Sequence, residues 1–546
     1  MHVVTLLGAG VVLLRANWSQ WFFGDEWEFL VARDVGDDPA AALFAPHNEH
    51  WSTLPVLVWR GLLHVVGLES YLPYAAVLVL LHLALAHVLW RVLRRTGCEP
   101  WLATGLAATF AVLGAGSENL LWAFQIGFVG SVLFGYLAAL VVDGAMNGAR
   151  GLVAAWLLCL GSLMCSGIGL VMVGVVALVA CQRRGVRRAM AVVSVPAAAF
   201  TIWYVGFGRD DGSSVPKSPR GLLAVPDYVA SGLTQSLERV VGLPSAGGAL
   251  VILILAWLAL RLRSGAAPLV LSTAAGSVAL YALIAPGREA LGIESAGASR
   301  YTYICIALLL PAAGGLLTDV LARTPWPALL GAALSVVLVW HNGYLLVGTF
   351  GAEAGREAAI RRQVLAAADI ATTQSWLRNR PEPVLDPDIT MEWLQEARRS
   401  GWLDEDEGDY TAKDELDVRS RTQVALDAAA TPALPVMRVL AAARVATAVE
   451  GNCVRYLPTA GQPQVVLALD PVNGGSARLF PSQPGEVRVH LSRSAAPTVM
   501  SEPVAFQVNP TTDGAHLRVN ATVDRMTLTL PEGGTTLVCG LAQPTG

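Results

Sequence analysis

Lysine is nearly absent from this 546-residue chain: of its 38 basic residues, all but Lys217 and Lys413 are arginine. That bias reflects codon composition rather than chemistry. Charge of either sign is scarce. Asp, Glu, Lys and Arg together make up 15% of the chain, against roughly 25% in a soluble domain. Hydrophobic residues make up 54%, and the mean hydropathy is +0.51. An ordinary soluble enzyme is excluded, and a polytopic membrane protein is expected. The net charge of −4 singles out no partner, and nucleic acid is not expected among them. No CxxC pair occurs, so no zinc ribbon is expected. No glycine-rich nucleotide loop, internal repeat or low-complexity tract is found. Met1 to Leu14 is apolar but lacks the positive n-region and small-residue cleavage site of a signal peptide. The first apolar run is short at its start, as in an N-terminally trimmed product.

Apolar runs dominate what is there. They fall at about 2–20, 70–92, 100–114, 124–142, 151–165, 167–181, 189–206, 248–262, 267–285, 302–321 and 327–347. The expected fold is therefore a polytopic α-helical membrane protein of about eleven spans. The runs at 151–165 and 167–181 are short for a ~30 Å core. They meet at Ser166-Gly167, which predicts a tight re-entrant corner or two bent helices. Arg91, Arg94 and Arg95, Arg183 to Arg188, and Arg261 and Arg263 mark cytoplasmic loops by the positive-inside rule. Alternation then puts the 21–69, 115–123, 207–247 and 286–300 segments outside, with the turn near 166 and everything after 348. The segment 51–66, with Pro55, Arg60 and His64, reads as a helix lying in the outer interface.

The C-terminal part has its own pattern. Residues 349–445 read as a mostly helical connector, with an acidic run at Asp404–Asp409. The loop at 207–224 is rich in turn residues. From about 446 to 546, alternating segments such as QVVLALD and EVRVHLS predict an antiparallel β-sandwich. Cys453 and Cys539 bracket it and are candidate disulfide partners if it lies outside the cytoplasm. Cys98, Cys159, Cys165, Cys181 and Cys305 lie in or beside apolar runs and read as packing residues. Three parts result: a transmembrane domain at 1–348, the connector, and the sandwich.

The chemistry-bearing residues sit in the expected outer loops. Asp25 and Glu26 lie among Trp21, Phe22, Phe23, Trp27 and Phe29. Carboxylates among aromatics at the mouth of a membrane protein are costly to desolvate and usually functional. They can bind a divalent cation, act as a general base or cap a helix. Adjacent helical residues diverge by about 100°, so both face one site only if the chain turns, as Gly24 permits. The plainer reading is an interfacial helix with aromatic anchors and solvated acids. His47, Asn48, Glu49 and His50 follow. His-x-x-His spacing puts two imidazoles on one helix face, but no HExxH motif exists; hydrogen bonding to a polar substrate is the alternative to metal binding. Glu118, Trp122 and Gln125 lie at i, i+4 and i+7 beside Asn119, hence on one helix face, and can line a sugar pocket. A cap plus an interfacial tryptophan is the alternative. Arg288, Glu289, Glu294, Arg300, Tyr301 and Tyr303 precede the tenth run. Outer arginines are disfavoured by topology; they hold a phosphate or pair with glutamates in the loop.

These pieces fit sugar transfer from a lipid phosphate. The leaving phosphate needs positive charge, from Arg300 or Arg288; the acceptor hydroxyl needs a carboxylate base. In the acidic pair of the first outer loop, the late outer arginine and the extracytoplasmic C-terminal domain, the chain resembles the GT-C superfamily of integral-membrane glycosyltransferases. GDEW at 24–27 matches its acidic loop motif, and HNEHW, ENLLWAFQ and SRYTY look like a bacterial branch of undefined substrate. The resemblance covers about residues 1–348. It implies a polyprenyl-phosphate sugar donor and a cell-envelope glycan or lipid acceptor. It also implies a bacterial plasma-membrane location, Asp25 as base, Glu26 as its neighbour and Arg300 as phosphate ligand; a divalent ion held by Asp25 and Glu26 is the cofactor that the two carboxylates themselves suggest. The β-sandwich resembles carbohydrate-binding domains. A flippase of lipid-linked sugars and a non-catalytic envelope scaffold are the competing readings, although a transporter wants its charges near the bilayer midplane.

Overall fold

Backbone polar groups in a water-poor medium must bond within their own segment, and each of the apolar runs is accordingly helical. The computed structural model describes all residues except 34–38, 145–147, 210–222, 265–266, 374–384, 386–387, 404–408, 428–436, 460, 521 and 543–546. Most of the 207–224 loop and of the acidic run at Asp404–Asp409 lie outside the described residues. The chain forms two compact units, Met1–Ala358 and Ala359–Gly546.

The first unit begins with α1 (His2–Ala16), α2 (Pro39–Phe44), α3 (Thr53–Val66) and α4 (Leu72–Arg95). It continues through α5 (Pro100–Ala111), α6 (Glu118–Leu121), α7 (Ile126–Asp143), α8 (Gly148–Leu163), α9 (Ile168–Arg184) and α10 (Val186–Trp203). Then come α11 (Val225–Val241), α12 (Gly247–Ser264), α13 (Pro268–Arg288), α14 (Ser299–Leu321) and α15 (Pro327–Thr373); the division between units falls within α15. Among the described residues, 6 helices are long and apolar enough to cross a membrane: Leu72–Arg95, Ala123–Asp143, Val186–Gly208, Pro268–Leu291, Ser299–Leu321 and Pro327–Thr373. The other runs give shorter helices. The 12 residues of α5 rise only ~18 Å at 1.5 Å each.

Helix α7 packs against α4, α8 and α9, and α9 continues the bundle to α10 and α13. Helices α8 and α9 meet in a tight corner at Ser166-Gly167. Helix α7 closes on that corner because Gly127 has no side chain: a Cβ there would stand 2.8 Å from the Cys165 carbonyl. The 207–247 segment is not simply a loop. Its second half is α11, started by Pro226 and ended by Gly242 in the left-handed region. It buries Tyr228, Leu233, Leu237 and Val240 against α13 and α14. That spacing is a helical stripe whose polar remainder looks loop-like in composition. The segment 51–66 is largely α3, with Val56, Trp59 and Leu63 turned inward and Leu57 and Val65 outward.

Among the described residues the second unit holds the end of α15, α16 (Met391–Arg399), α17 (Ala412–Gln423) and 13 strands in two sheets. The first runs β1 (Val424–Asp427), β10 (Ala515–Val519), β6 (Gly475–Pro481), β12 (Thr536–Cys539), β4 (Cys453–Pro458) and β3 (Val445–Glu450). The second runs β13 (Leu541–Ala542), β2 (Met437–Ala443), β5 (Gln464–Ala468), β11 (Arg525–Thr529), β7 (Gly485–Arg493) and β8 (Ala496–Met500), with β9 (Val504–Val508) also on β7. Among the described residues all pairings are antiparallel except β13 with β2. Leu479 and Leu517 from one sheet share a core with Leu467, Val489, Leu491 and Leu528 from the other.

Strands begin at Val424 rather than near 446. VALD and MRVLAAA are Ala- and Leu-rich and look helical by propensity, but pairing with β10 and β5 overrides it. Cys453 and Cys539 stand opposite each other on β4 and β12 and form a disulfide. Replacing both with serine should lower the stability of this unit by roughly 2–5 kcal/mol. Denaturant titration of the full chain, with and without reductant, reads the change. Free thiols at both positions in oxidised protein would refute the bond.

Candidate functional site

The site starts from a nest of aromatic rings. Phe22 and Trp27 are fully buried, and Phe22 meets Tyr71 and Tyr74 edge-on, with centroids 5.1 and 4.9 Å away. Between them Gly24 takes φ +59°, which reverses the chain and sends the two carboxylates apart. Glu26 turns inward and is 0% exposed. It accepts hydrogen bonds from Tyr71 Oη at 2.7 Å, Phe23 N at 3.0 Å and Phe124 N at 3.2 Å. Burial pushes its pKa up, with these donors pulling the other way. The Asp25 side chain turns outward, 52% exposed, onto a cavity of about 430 Å³. Glu26 does not line that cavity. The two acids therefore do not converge on one ion.

The second wall is the HNEH stretch. It is not a helix but a tight turn: His47 and His50 exchange backbone hydrogen bonds of 3.0 and 2.9 Å. Asn48 takes φ +49°, a conformation asparagine tolerates better than most residues. The expectation of two imidazoles on one helix face fails for this reason. His47 Nδ1 bonds the Glu28 carboxylate, and Nε2 lies 3.7 Å from Asp25 Oδ2. Burial disfavours the charged ring, but Asp25 and Glu28 outweigh it and raise its pKa to about 9. His47 is thus an imidazolium at neutral pH. It in turn is the main influence holding the Asp25 carboxyl below the usual range, against burial; Arg300 and Arg288 add to the pull.

His50 has the opposite fate. Its Nδ1 accepts from Gly167 N at 3.3 Å, and burial lowers its pKa to about 4. It is neutral, with the proton on Nε2. Only glycine fits at 167, where a Cβ would stand 2.7 Å from the His50 ring.

Two arginines line the same cavity. Arg288, the last residue of α13, pairs with Glu49 at 3.2 Å. Arg300, in the first turn of α14, pairs with Glu118 at 3.5 Å and lies over the Tyr301 ring. Asp25, His47, Asn48, Glu49 and His50 line the cavity, as do Trp122, Gln125, Arg288, Arg300 and Tyr301. Glu118 does not. The i, i+4, i+7 face proposed for it is broken, because α6 ends at Leu121 and Trp122 is extended. Trp122 instead stacks between Phe23 and Phe124. The remaining lining is mostly apolar, including Phe128, Leu170 and Leu283, with Tyr204 beside them.

Two contributors escaped sequence reasoning. Glu28 lies in the same aromatic stretch as Asp25. Arg33 is buried and grips the carbonyls of Ala42, Ala45 and Pro46 as well as Glu28. The legible signal was charge persisting beyond GDEW into an apolar segment. Among the described residues no group of three His, Cys, Asp or Glu side chains is placed to hold a metal ion. No protein-family model, curated protein or solved structure matches this chain.

The Glu26 geometry makes a stability prediction. Glu26→Ala strands the N–H groups of Phe23 and Phe124 and the Tyr71 hydroxyl. Each buried orphan costs about 1–3 kcal/mol. Thermal unfolding of the purified full chain should show a clear drop in Tm, and an unchanged Tm would sink this structural role.

Proposed function

We propose that the chain is a membrane glycosyltransferase of the GT-C type, moving a sugar from a polyprenyl-phosphate donor to a cell-envelope glycan or lipid acceptor. One observation carries this reading: a single cavity is lined by an ionised carboxylate, Asp25, and by two arginines, Arg288 and Arg300. The resemblance of GDEW to the superfamily's acidic loop supports the same assignment. The topology that goes with it has about eleven spans, the Arg183–Arg188 loop in the cytoplasm, and residues 349–546 outside a bacterial plasma membrane.

The step is a substitution at the sugar's anomeric carbon. The acceptor oxygen forms a bond to that carbon while its proton passes to Asp25. The bond from the carbon to the phosphate oxygen breaks, and the electron pair leaves with the phosphate. Arg300 and Arg288 bear the charge that gathers there, and the leaving group needs no proton. The transition state is oxocarbenium-like. A carboxylate of low basicity suffices, because the hydroxyl becomes acidic only as its new bond forms. Trp122, Gln125, Tyr301, Asn48, Glu49 and neutral His50 supply an aromatic and polar lining for the sugars.

Asp25→Asn should abolish transfer in protein that remains folded, by roughly 10²–10⁴-fold, with donor binding mostly kept. Arg300→Ala should weaken both donor binding and rate, since the phosphate is charged before and during departure. Arg300→Lys should restore part of each, keeping charge without the bidentate fork. Purified protein with extracted polyprenyl-phosphate sugars reads all three, and full transfer by Asp25→Asn would defeat the assignment.

The pH dependence follows from the same groups. Asp25 is needed ionised and its pKa is lowered, so kcat/KM should hold at acid pH until below the usual ~3.9 of aspartate. His47 is needed protonated and its pKa is raised, so activity should fall as pH rises through about 9. An alkaline limb that survives His47→Gln unchanged would contradict this.

A further inference from the structure

We propose that Glu28 is a positioning residue for the transfer reaction: through His47 it holds one oxygen of Asp25 and leaves the other to the acceptor hydroxyl. This rests on the reading of Asp25 as the base.

The case is geometric. Glu28 uses both its oxygens, Oε1 on Arg33 Nη2 at 2.8 Å and Oε2 on His47 Nδ1. Arg33 is itself immobilised by bonds of 3.0, 2.6 and 2.9 Å to the carbonyls of Ala42, Ala45 and Pro46. Glu28 therefore has a fixed far end. The His47 ring is held edge-on between Phe29, at 5.4 Å and 73°, and Phe124, at 5.0 Å and 66°. Its backbone is tied at both N–H and C=O to His50. With Nδ1 committed to Glu28, only Nε2 is left, 3.7 Å from Asp25 Oδ2 and 3.1 Å from Asn48 Nδ2; beside an imidazolium the Asn48 amide takes its flipped orientation, with Oδ1 toward the Nε2–H. Among the described residues no direct hydrogen bond holds Asp25, so the His47 ring is its only ion-pair partner there.

The groups facing His47 are Asp25 and Glu28 from the stretch after α1, and Asn48 and His50 from its own turn. Phe124 faces it from the segment before α7, and Arg288 and Arg300 act on Asp25 from α13 and α14. A fold that needed only to close the 33–47 segment has that closure in Arg33 and its three carbonyls. A second buried pair aimed at the cavity adds little stability, because desolvating its charges offsets their attraction. It does add direction. In the reaction Asp25 Oδ1 takes the acceptor's proton as the new bond forms and the phosphate leaves with its electron pair. His47 keeps both of its protons throughout.

The test uses the full-length protein in nanodiscs, with extracted polyprenyl-phosphate sugars as donor. Glu28→Gln should lower kcat by roughly 10- to 100-fold, the scale of a small misplacement of a reacting group. The donor KM should stay within about twofold, because the phosphate-binding arginines are untouched. Glu28→Asp, which keeps the charge on a shorter arm, should recover part of the loss. In ¹⁵N-histidine-labelled protein the His47 ring signals should move in Glu28→Gln, a readout that a merely structural role would not couple to kcat. If Glu28→Gln does not fold, Glu28→Asp is judged alone, and an unchanged kcat overturns the proposal. Wild-type kcat in Glu28→Gln beside a dead Asp25→Asn overturns the positioning role and leaves the base intact. Full activity in both variants overturns the base reading as well.

Discussion

One buried carboxylate organises the site. Glu26 receives hydrogen bonds from three places in the chain: Phe23 beside it, Tyr71 at the start of α4, and Phe124 just before α7. Tyr71 is in turn fixed from its other side, its oxygen accepting from Ala123 N at 2.7 Å. Those bonds bring the acidic loop against the start of α4 and against the segment before α7, whose Phe124 and Gln125 line the cavity. A carboxylate so deep is expensive unless every lone pair is used, which is why the surroundings are aromatic rings with polar tips rather than aliphatics. The burial of Glu26 also decides where Asp25 goes, since its neighbour turned inward must leave it facing out.

The cavity's charges are all engaged before any substrate arrives. Arg33, Glu28, His47 and Asp25 form one chain of pairs, and Arg288 with Glu49 and Arg300 with Glu118 form two more. The pairs differ in grip. Those around Arg33 are buried and close. Those of Arg288 and Arg300, at 3.2 and 3.5 Å, are half-exposed, and such pairs contribute little to stability. In the proposed transfer the donor's phosphodiester, a monoanion, competes for these guanidinium groups through its fit to the fork, and its hold strengthens as departure of the sugar leaves a second negative charge on it. The buried pairs hold shape, and the looser ones hold the arginines ready.

Much of the helical unit was legible because hydrophobic run length is a strong signal. Each apolar run became a helix, and the Ser166-Gly167 junction became a corner. The misses share a cause, which is that pattern reading assumes one period per segment. HNEH and ENLLWAFQ were read at helical spacing, yet a left-handed Asn48 makes the first a turn, and an extended Trp122 breaks the second. VALD and MRVLAAA carry helical composition but are strands, since sheet pairing is decided by partners far away in sequence. Glu28 and Arg33 went unnoticed for a similar reason: nothing local in a sequence says which of several neighbouring charges will share a buried contact.

The two histidines of the turn show how far environment outweighs residue type. His47 and His50 are three positions apart and joined by their backbones. One lies between two carboxylates and is cationic, the other against a backbone N–H and is neutral. A metal site would ask both for a neutral nitrogen lone pair aimed at one point. His47 has committed one nitrogen to Glu28 and turns the other toward Asp25, while His50 spends its lone pair on Gly167. The spacing that suggests metal binding is thus used for something else: a fixed positive charge beside an acid, and an uncharged hydrogen-bond donor on the cavity wall. Both suit the transfer proposed above, and neither could be exchanged for the other without reversing the surrounding charges.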